Sequence, residues 1–249
     1  MEQIKKILRT AAVFLLWLGI WQLAAIVTNQ EILIPTPVAT FKALITLASS
    51  GNFYVAVLLS LFRIIIGFTS GVIVGVLGAI LSNRFKLINA LFTPILRIIT
   101  AVPVASFIIL ALVWFYSDTL PMFISFLMVL PMIWTTVQSG IESIDKKYLE
   151  LAQVYRLKPL KVFFEIKVPF ILPAFISTTL NALGFAWKSG IAAEVICRPN
   201  SSLGTMLQES KIYMETPSVF ALTAVVAILS LLLEAVIKRA LRRFTNDKT

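Results

Sequence analysis

The sequence predicts an all-α membrane protein with about six transmembrane helices. Three observations carry that expectation. Hydrophobic residues make up 59% of the 249-residue chain and charged residues only 14%, where a soluble domain has about 25% charged residues. Mean hydropathy is +0.92. The apolar residues also come in continuous runs long enough to cross a bilayer, which takes about 20 residues with a range of roughly 17–25. That continuity excludes an outer-membrane-type barrel, whose strands alternate apolar and polar residues.

The runs place spans at about 11–27, 57–81, 98–115, 120–137, 170–197 and 219–237, in one transmembrane domain covering 1–249. Lys5, Lys6 and Arg9 precede the first span as they would in a secretory leader. No small-residue cleavage site follows, and the apolar stretch runs on through Trp17, Ile20 and Trp21, so an uncleaved first span is expected. The connection "ILIPTPVATFKALITLASSG" predicts a helix lying along the membrane surface after Pro37. In the second span Gly67, Gly71 and Gly75 stand four residues apart, a spacing that lets helix backbones approach closely in lipid. Pro103 in the third span, and Pro121 and Pro131 around the fourth, predict kinks or helix ends.

Between the fourth and fifth spans lies a charged elbow, 144–169, with Glu150, Arg156, Lys158, Lys161, Glu165 and Lys167. A first short helix ends near Leu157, because residues before a proline are biased away from the helical region. Pro159 then suits the first turn of a second helix, whose Leu160, Phe163 and Phe164 share one face. That helix is expected to stop at Pro169. By periodicity the elbow is either a connector resting on the membrane surface or a docking helix for a soluble partner. The segment 198–217, bounded by Pro199 and Pro217, reads as a polar outer loop.

Charge sets the orientation. The net charge of +10 is explained by Lys and Arg gathered in cytoplasmic segments rather than by a nucleic-acid partner. Lys5, Lys6 and Arg9, then Arg84, Lys86 and Arg97 in the second connection, then the elbow, then Lys238, Arg239, Arg242 and Arg243 all fall on one side of six spans. Both termini are therefore expected in the cytoplasm.

Several chemistries are excluded. With no His and one Cys, Cys197, the chain has no basis for a disulfide framework or a Cys/His metal site. "GFAWKSG" lacks the glycine spacing of a phosphate-binding loop, so ATP hydrolysis is not expected here. No catalytic residue is assigned, because a membrane enzyme would need a polar acid–base cluster that the spans do not offer. A secondary transporter working without an ATPase partner is the alternative reading, but it would call for internal repeats and intramembrane acids. Among embedded polar and aromatic residues, Ser106, Trp114, Trp187, Lys188 and Glu194 are the candidates for a translocation path. Arg63 is expected to snorkel to headgroups. Lys188 and Glu194 stand six residues apart, on different faces of an unbroken helix. Lys188 either faces the path, snorkels, or pairs with an acid elsewhere.

The elbow resembles the cytoplasmic motif of permease subunits of binding-protein-dependent ABC importers: E-A-A, three residues, G, nine residues, I-x-L-P. Here Glu150, Leu151 and Ala152 open it, Arg156 holds the glycine position, and Ile166, Lys167, Val168 and Pro169 close it. Leu151, Arg156 and Val168 depart from the commonest residues. In order, "ILIPTPVATFKALI", "SLFRIIIGFTSGVIVGVLGAIL", "ITAVPVASFIILALVWF", "GIESIDKKYLELAQVY" and "AWKSGIAAEVI" look like the nitrate/sulfonate/taurine-type permeases over about 10–245. The resemblance implies a type I ABC importer permease fold, with the elbow as a coupling helix between spans four and five. It implies that Glu150, Leu151, Ala152, Arg156, Pro159, Leu160, Ile166 and Pro169 meet the ATPase, with Ala152 on the docking face. It also implies a homodimer in a bacterial-type cell membrane, two cytoplasmic ATPase subunits that use ATP and Mg, and an extracytoplasmic substrate-binding protein that meets segment 198–217. This chain itself would bind no cofactor. The solute would be a small anion, a sulfonate or a vitamin precursor.

Overall fold

The computed structural model describes residues 2–246; the side chains of 2–7, 146, 149 and 241–246, including Lys5, Lys6, Lys146, Arg242 and Arg243, lie outside the described residues. The described residues form helices joined by short connections and contain no strand. In order they form α1 (Glu2–Thr28), α2 (Pro37–Ala48), α3 (Gly51–Arg84), α4 (Lys86–Ala101), α5 (Val104–Ala111), α6 (Leu120–Glu142), α7 (Lys146–Val154), α8 (Pro159–Val162), a π turn (Phe163–Lys167), α9 (Val168–Cys197), α10 (Leu203–Ile212) and α11 (Thr216–Asn246).

Five helical stretches are long and apolar enough to cross a membrane, and α4 with α5 makes a sixth crossing only as a pair bent by 107°. This corrects the expected third span of 98–115. The helix begins at Lys86, and Pro103, which caps α5 with extended backbone, breaks it. Arg97, expected in a connection, consequently lies well inside α4.

The core forms where α6 packs between α3 and α9. In lipid, burial from water does not drive helices together, so association rests on close packing. The α3 glycines supply it. A Cβ added at Gly71 would lie 2.8 Å from Val129 Cβ, and one at Gly75 would lie 2.9 Å from Ile133 Cβ. Gly67 meets the Met122 carbonyl and Gly78 the Trp134 ring in the same way. The Ser125 hydroxyl donates to the Ala186 carbonyl at 3.1 Å, tying α6 to α9. α11 closes the far side of α9, and α2 lies against α11. α2 starts after Pro37 as expected, with Thr36 Oγ1 accepting from the Ala39 amide. α1 is peripheral; it is fastened where Trp21 donates to the Pro35 carbonyl and stacks on Phe220.

Two further expectations change. The helix opened by Pro159 does not stop at Pro169 but continues through the π turn into α9, giving one 39-residue helical stretch. The wider turn, in which the Val168 amide reaches the Phe163 carbonyl, relieves the clash that a proline ring makes with the carbonyl four residues back. Segment 198–217 is likewise no plain loop. It folds into α10, whose Leu203, Gly204 and Ser210 are buried, started by the Ser202 hydroxyl accepting from the Thr205 amide at 3.0 Å.

Candidate functional site

At one end of the bundle the elbow projects. Asp145 caps α7 by accepting from the Lys147 amide. α7 closes with the Leu157 amide on the Ala152 carbonyl and the Arg156 amide on the Gln153 carbonyl, both 2.9 Å. That pattern of a helix C-terminus requires a left-handed residue, and Arg156 takes it at φ 49°. The glycine position of the motif is therefore conformationally intact although the side chain is not glycine. Tyr148 packs edge-on against Phe170, which braces the elbow on α9.

The residues of the elbow differ in how open they are. Ala152 is 5% exposed and lines an open groove with Gln153, Leu157, Pro159, Val162, Phe163 and Lys167. Glu150, Leu151, Arg156, Pro159, Leu160 and Pro169 are exposed, and Ile166 is half-buried. Val154 at the end of α7 and Tyr155 just past it, which the motif did not single out, are open apolar side chains, at 77% and 73% exposed. Lys161 and Glu165 lie 3.8 Å apart along the outer side of the π turn.

The residues proposed for a path separate into two groups. Trp187 is 1% exposed and donates to the Val226 carbonyl at 3.0 Å, a packing position between α9 and α11. Glu194 is 0% exposed. Its Oε2 accepts from the Ser60 hydroxyl at 2.8 Å and the Gly204 amide at 3.1 Å. Both point into the subunit's own core, which corrects their assignment to an open path. Ser106, Trp114 and Lys188 are exposed. Lys188 lines up with Ser177, Asn181 and Gly184 within one narrow stripe of α9, all facing away from α3 and α6. A Cβ at Gly184 would meet nothing within 4 Å.

Glu194 belongs to a buried polar cluster at the opposite end from the elbow. Arg63, read as a snorkelling residue, is instead buried: its Nη2 donates to Asp118 Oδ1 at 2.9 Å and to the Asn200 carbonyl at 3.0 Å. Its Nη1 lies 3.9 Å from Glu194 Oε1. Asp118 also accepts from the Asn200 amide and side chain. The Glu194 carboxylate accepts from the Gly204 amide at the start of α10, where a helix N-terminus favours negative charge, while the Leu203 amide donates to Ser60 Oγ. Gly204 is required there, because an added Cβ would run into Glu194. The cluster pins α3, the α5–α6 connection, the end of α9 and the start of α10 together. Among the described residues no group of His, Cys, Asp and Glu could hold a metal ion.

A helical bundle with five or six stretches long and apolar enough to cross a membrane defines a multi-pass membrane protein. The chain belongs to the family of binding-protein-dependent transport system inner membrane components, which residues 67–246 match. It is a transmembrane permease subunit of an ABC importer, a reading supported over that of a secondary transporter. A probable ABC transporter permease of Brucella melitensis is 27% identical over 94% of each chain. The taurine transport system permease TauC of Escherichia coli is 26% identical over 90% of this chain and 84% of the relative. The putative aliphatic sulfonates transport permease SsuC of Escherichia coli is 28% identical over 91% and 88%. Among solved structures, an amino acid ABC transporter with histidines aligns at TM-score 0.60 and 15% identity, over 76% of this chain and 91% of that one. The inward-facing MetNI methionine transporter aligns at 0.55 and 16%, over 79% and 94%. Those two likenesses speak to the fold alone.

Proposed function

We propose that two copies of this chain form the path of the importer, that each elbow seats in a cytoplasmic ATPase subunit, and that an extracytoplasmic binding protein delivers the solute at the end where α10 lies. ATP and Mg act on the ATPase, and this chain binds neither. Both termini face the cytoplasm of a bacterial-type cell. The carrying observation is the elbow, with a glycine-position residue in the left-handed conformation and an exposed apolar rim of Leu151, Val154, Tyr155 and Leu160. In water such a rim calls for a groove on a partner. The solute is a small anion, a sulfonate or a vitamin precursor; the relatives whose names state a substrate are named for taurine and aliphatic sulfonates.

Co-purification tests the docking. Val154→Glu with Tyr155→Glu places two charges on the rim without touching the core. The double variant is expected to lose the ATPase subunit in detergent while the permease elutes normally. Unchanged assembly together with unchanged substrate-stimulated hydrolysis would reject the docking face.

A further inference from the structure

Asn89, Thr93, Arg97 and Thr100 fall on one face of α4, although the sequence reads as an apolar run. They look across a cleft at Thr135, Gln138, Ser139 and Glu142 of α6. The cleft is open on one side and holds about 240 Å³; every lining residue but Leu96 carries a polar group, although their apolar stems supply most of the surface. It is braced at one edge, where Gln138 Nε2 donates to Asn89 Oδ1 and to Glu142 Oε1, each at 3.1 Å, and the Thr93 hydroxyl donates to Asn89 Oδ1 at 2.9 Å. The Arg97 guanidinium makes no ion pair and no side-chain hydrogen bond among the described residues. Arg97 stands eleven residues beyond the start of α4 at Lys86, or roughly 16 Å along the axis, and its side chain is exposed on the subunit. A cation within a transmembrane segment is disfavoured if turned to lipid, and such residues face polar cavities.

We infer that this cleft is a binding station for a small solute bearing an oxyanion group, held by Arg97 with the Ser139 hydroxyl as a further donor; the Thr93, Thr100 and Thr135 hydroxyls donate to carbonyls of their own helices and only line the cleft. Guanidinium matches the planar spread of sulfonate, carboxylate and phosphate oxygens, and charge-assisted bonds are the strong ones. The cleft is smaller than drug-sized pockets of about 300–1,000 Å³, which limits the solute to a compact one. Glu142 lines the same cleft but is engaged by Gln138 rather than by Arg97. The inference rests on the permease reading.

The test uses the purified full-length chain in lipid-free zwitterionic detergent at constant ionic strength. Sodium methanesulfonate is titrated against dimethyl sulfone, an uncharged molecule of similar shape. Intrinsic fluorescence reports, because Trp134 stacks on Phe92 beside the cleft with ring centroids 5.2 Å apart. Methanesulfonate is expected to give a saturable change and dimethyl sulfone none. Arg97→Gln should weaken the response roughly tenfold to a hundredfold, Arg97→Lys should keep part of it, and Lys42→Gln should leave it unchanged. Phosphatidylglycerol micelles form the second arm, since a lipid phosphate offers the same chemistry. A response given by that lipid alone, an equal response to both small probes, no saturable response, or one that survives Arg97→Gln overturns the inference. The ATPase subunit is followed by co-purification in parallel. Failure of binding with assembly intact removes only the cleft assignment, whereas failure of assembly removes the permease reading itself.

Discussion

Arg156 shows how a single residue can depart from a motif while its backbone obeys it. A non-glycine residue in the left-handed region costs about 1–2 kcal/mol, and Arg156 sits there at φ 49° to let α7 turn into α8. Arg156→Gly should remove that strain. The amides of Arg156 and Leu157 should then exchange hydrogen about fivefold more slowly, since 1 kcal/mol is a factor of about five, with the ATPase still bound. Faster exchange would mean that the exposed guanidinium itself holds the turn. The turn was legible in the sequence from Pro159, which biases the residues before it away from the helical region; that Arg156 itself takes the left-handed position was not. The Arg63–Asp118–Glu194 cluster was not, because its members lie 55 and 131 positions apart, taking Asp118 and Glu194 each from Arg63. Charge in an apolar run signals that a partner exists, and only the fold says which. Which way Ala152 turns was not legible either: a small residue permits close approach on either side of a helix, and here it lines a groove shared with the elbow's own second turn.

At the scale of elements, the glycine ladder of α3 was readable from its four-residue spacing, and α6 is the helix it admits. The two are fitted so closely that Gly71→Val must push Val129 aside. Overpacking of this kind costs about 1–3 kcal/mol, so the variant should unfold several degrees lower in detergent. Gly184→Ala, with open space around it, should leave the midpoint unchanged or slightly raised. Equal effects of the two would refute the ladder as the packing seam. Helix breaks were harder to read than helix contacts. Pro103 was correctly expected to interrupt its span, yet composition alone could not give a bend of 107° or move the helix start back to Lys86. Pro169 was expected to end a helix and instead sits just past a π turn that accommodates it. A proline fixes its own φ; whether the helix ends or widens depends on what lies on either side.

For the whole molecule, the open question posed by the sequence was where Lys188 points. The structure turns it outward on α9 with Ser177 and Asn181, and none of the three makes a side-chain hydrogen bond or ion pair among the described residues. Facing hydrocarbon, a charged side chain at the centre of a span is disfavoured by about 2.5–3.5 kcal/mol on insertion scales, and the two polar neighbours would add to that. A second copy placed against this stripe would enclose it, and a water-filled path between the copies would hydrate it. The open surface at Gly184 leaves room for such a path. Lys188→Met removes the charge but keeps the length of the stem, so the dimer and its ATPase should still co-purify while uptake into proteoliposomes falls at least tenfold. Lys188→Arg should retain part of the uptake, since the cation is kept. If Lys188→Met transports at the normal rate, the stripe packs or meets lipid headgroups instead, and the route for the solute must lie elsewhere on the bundle.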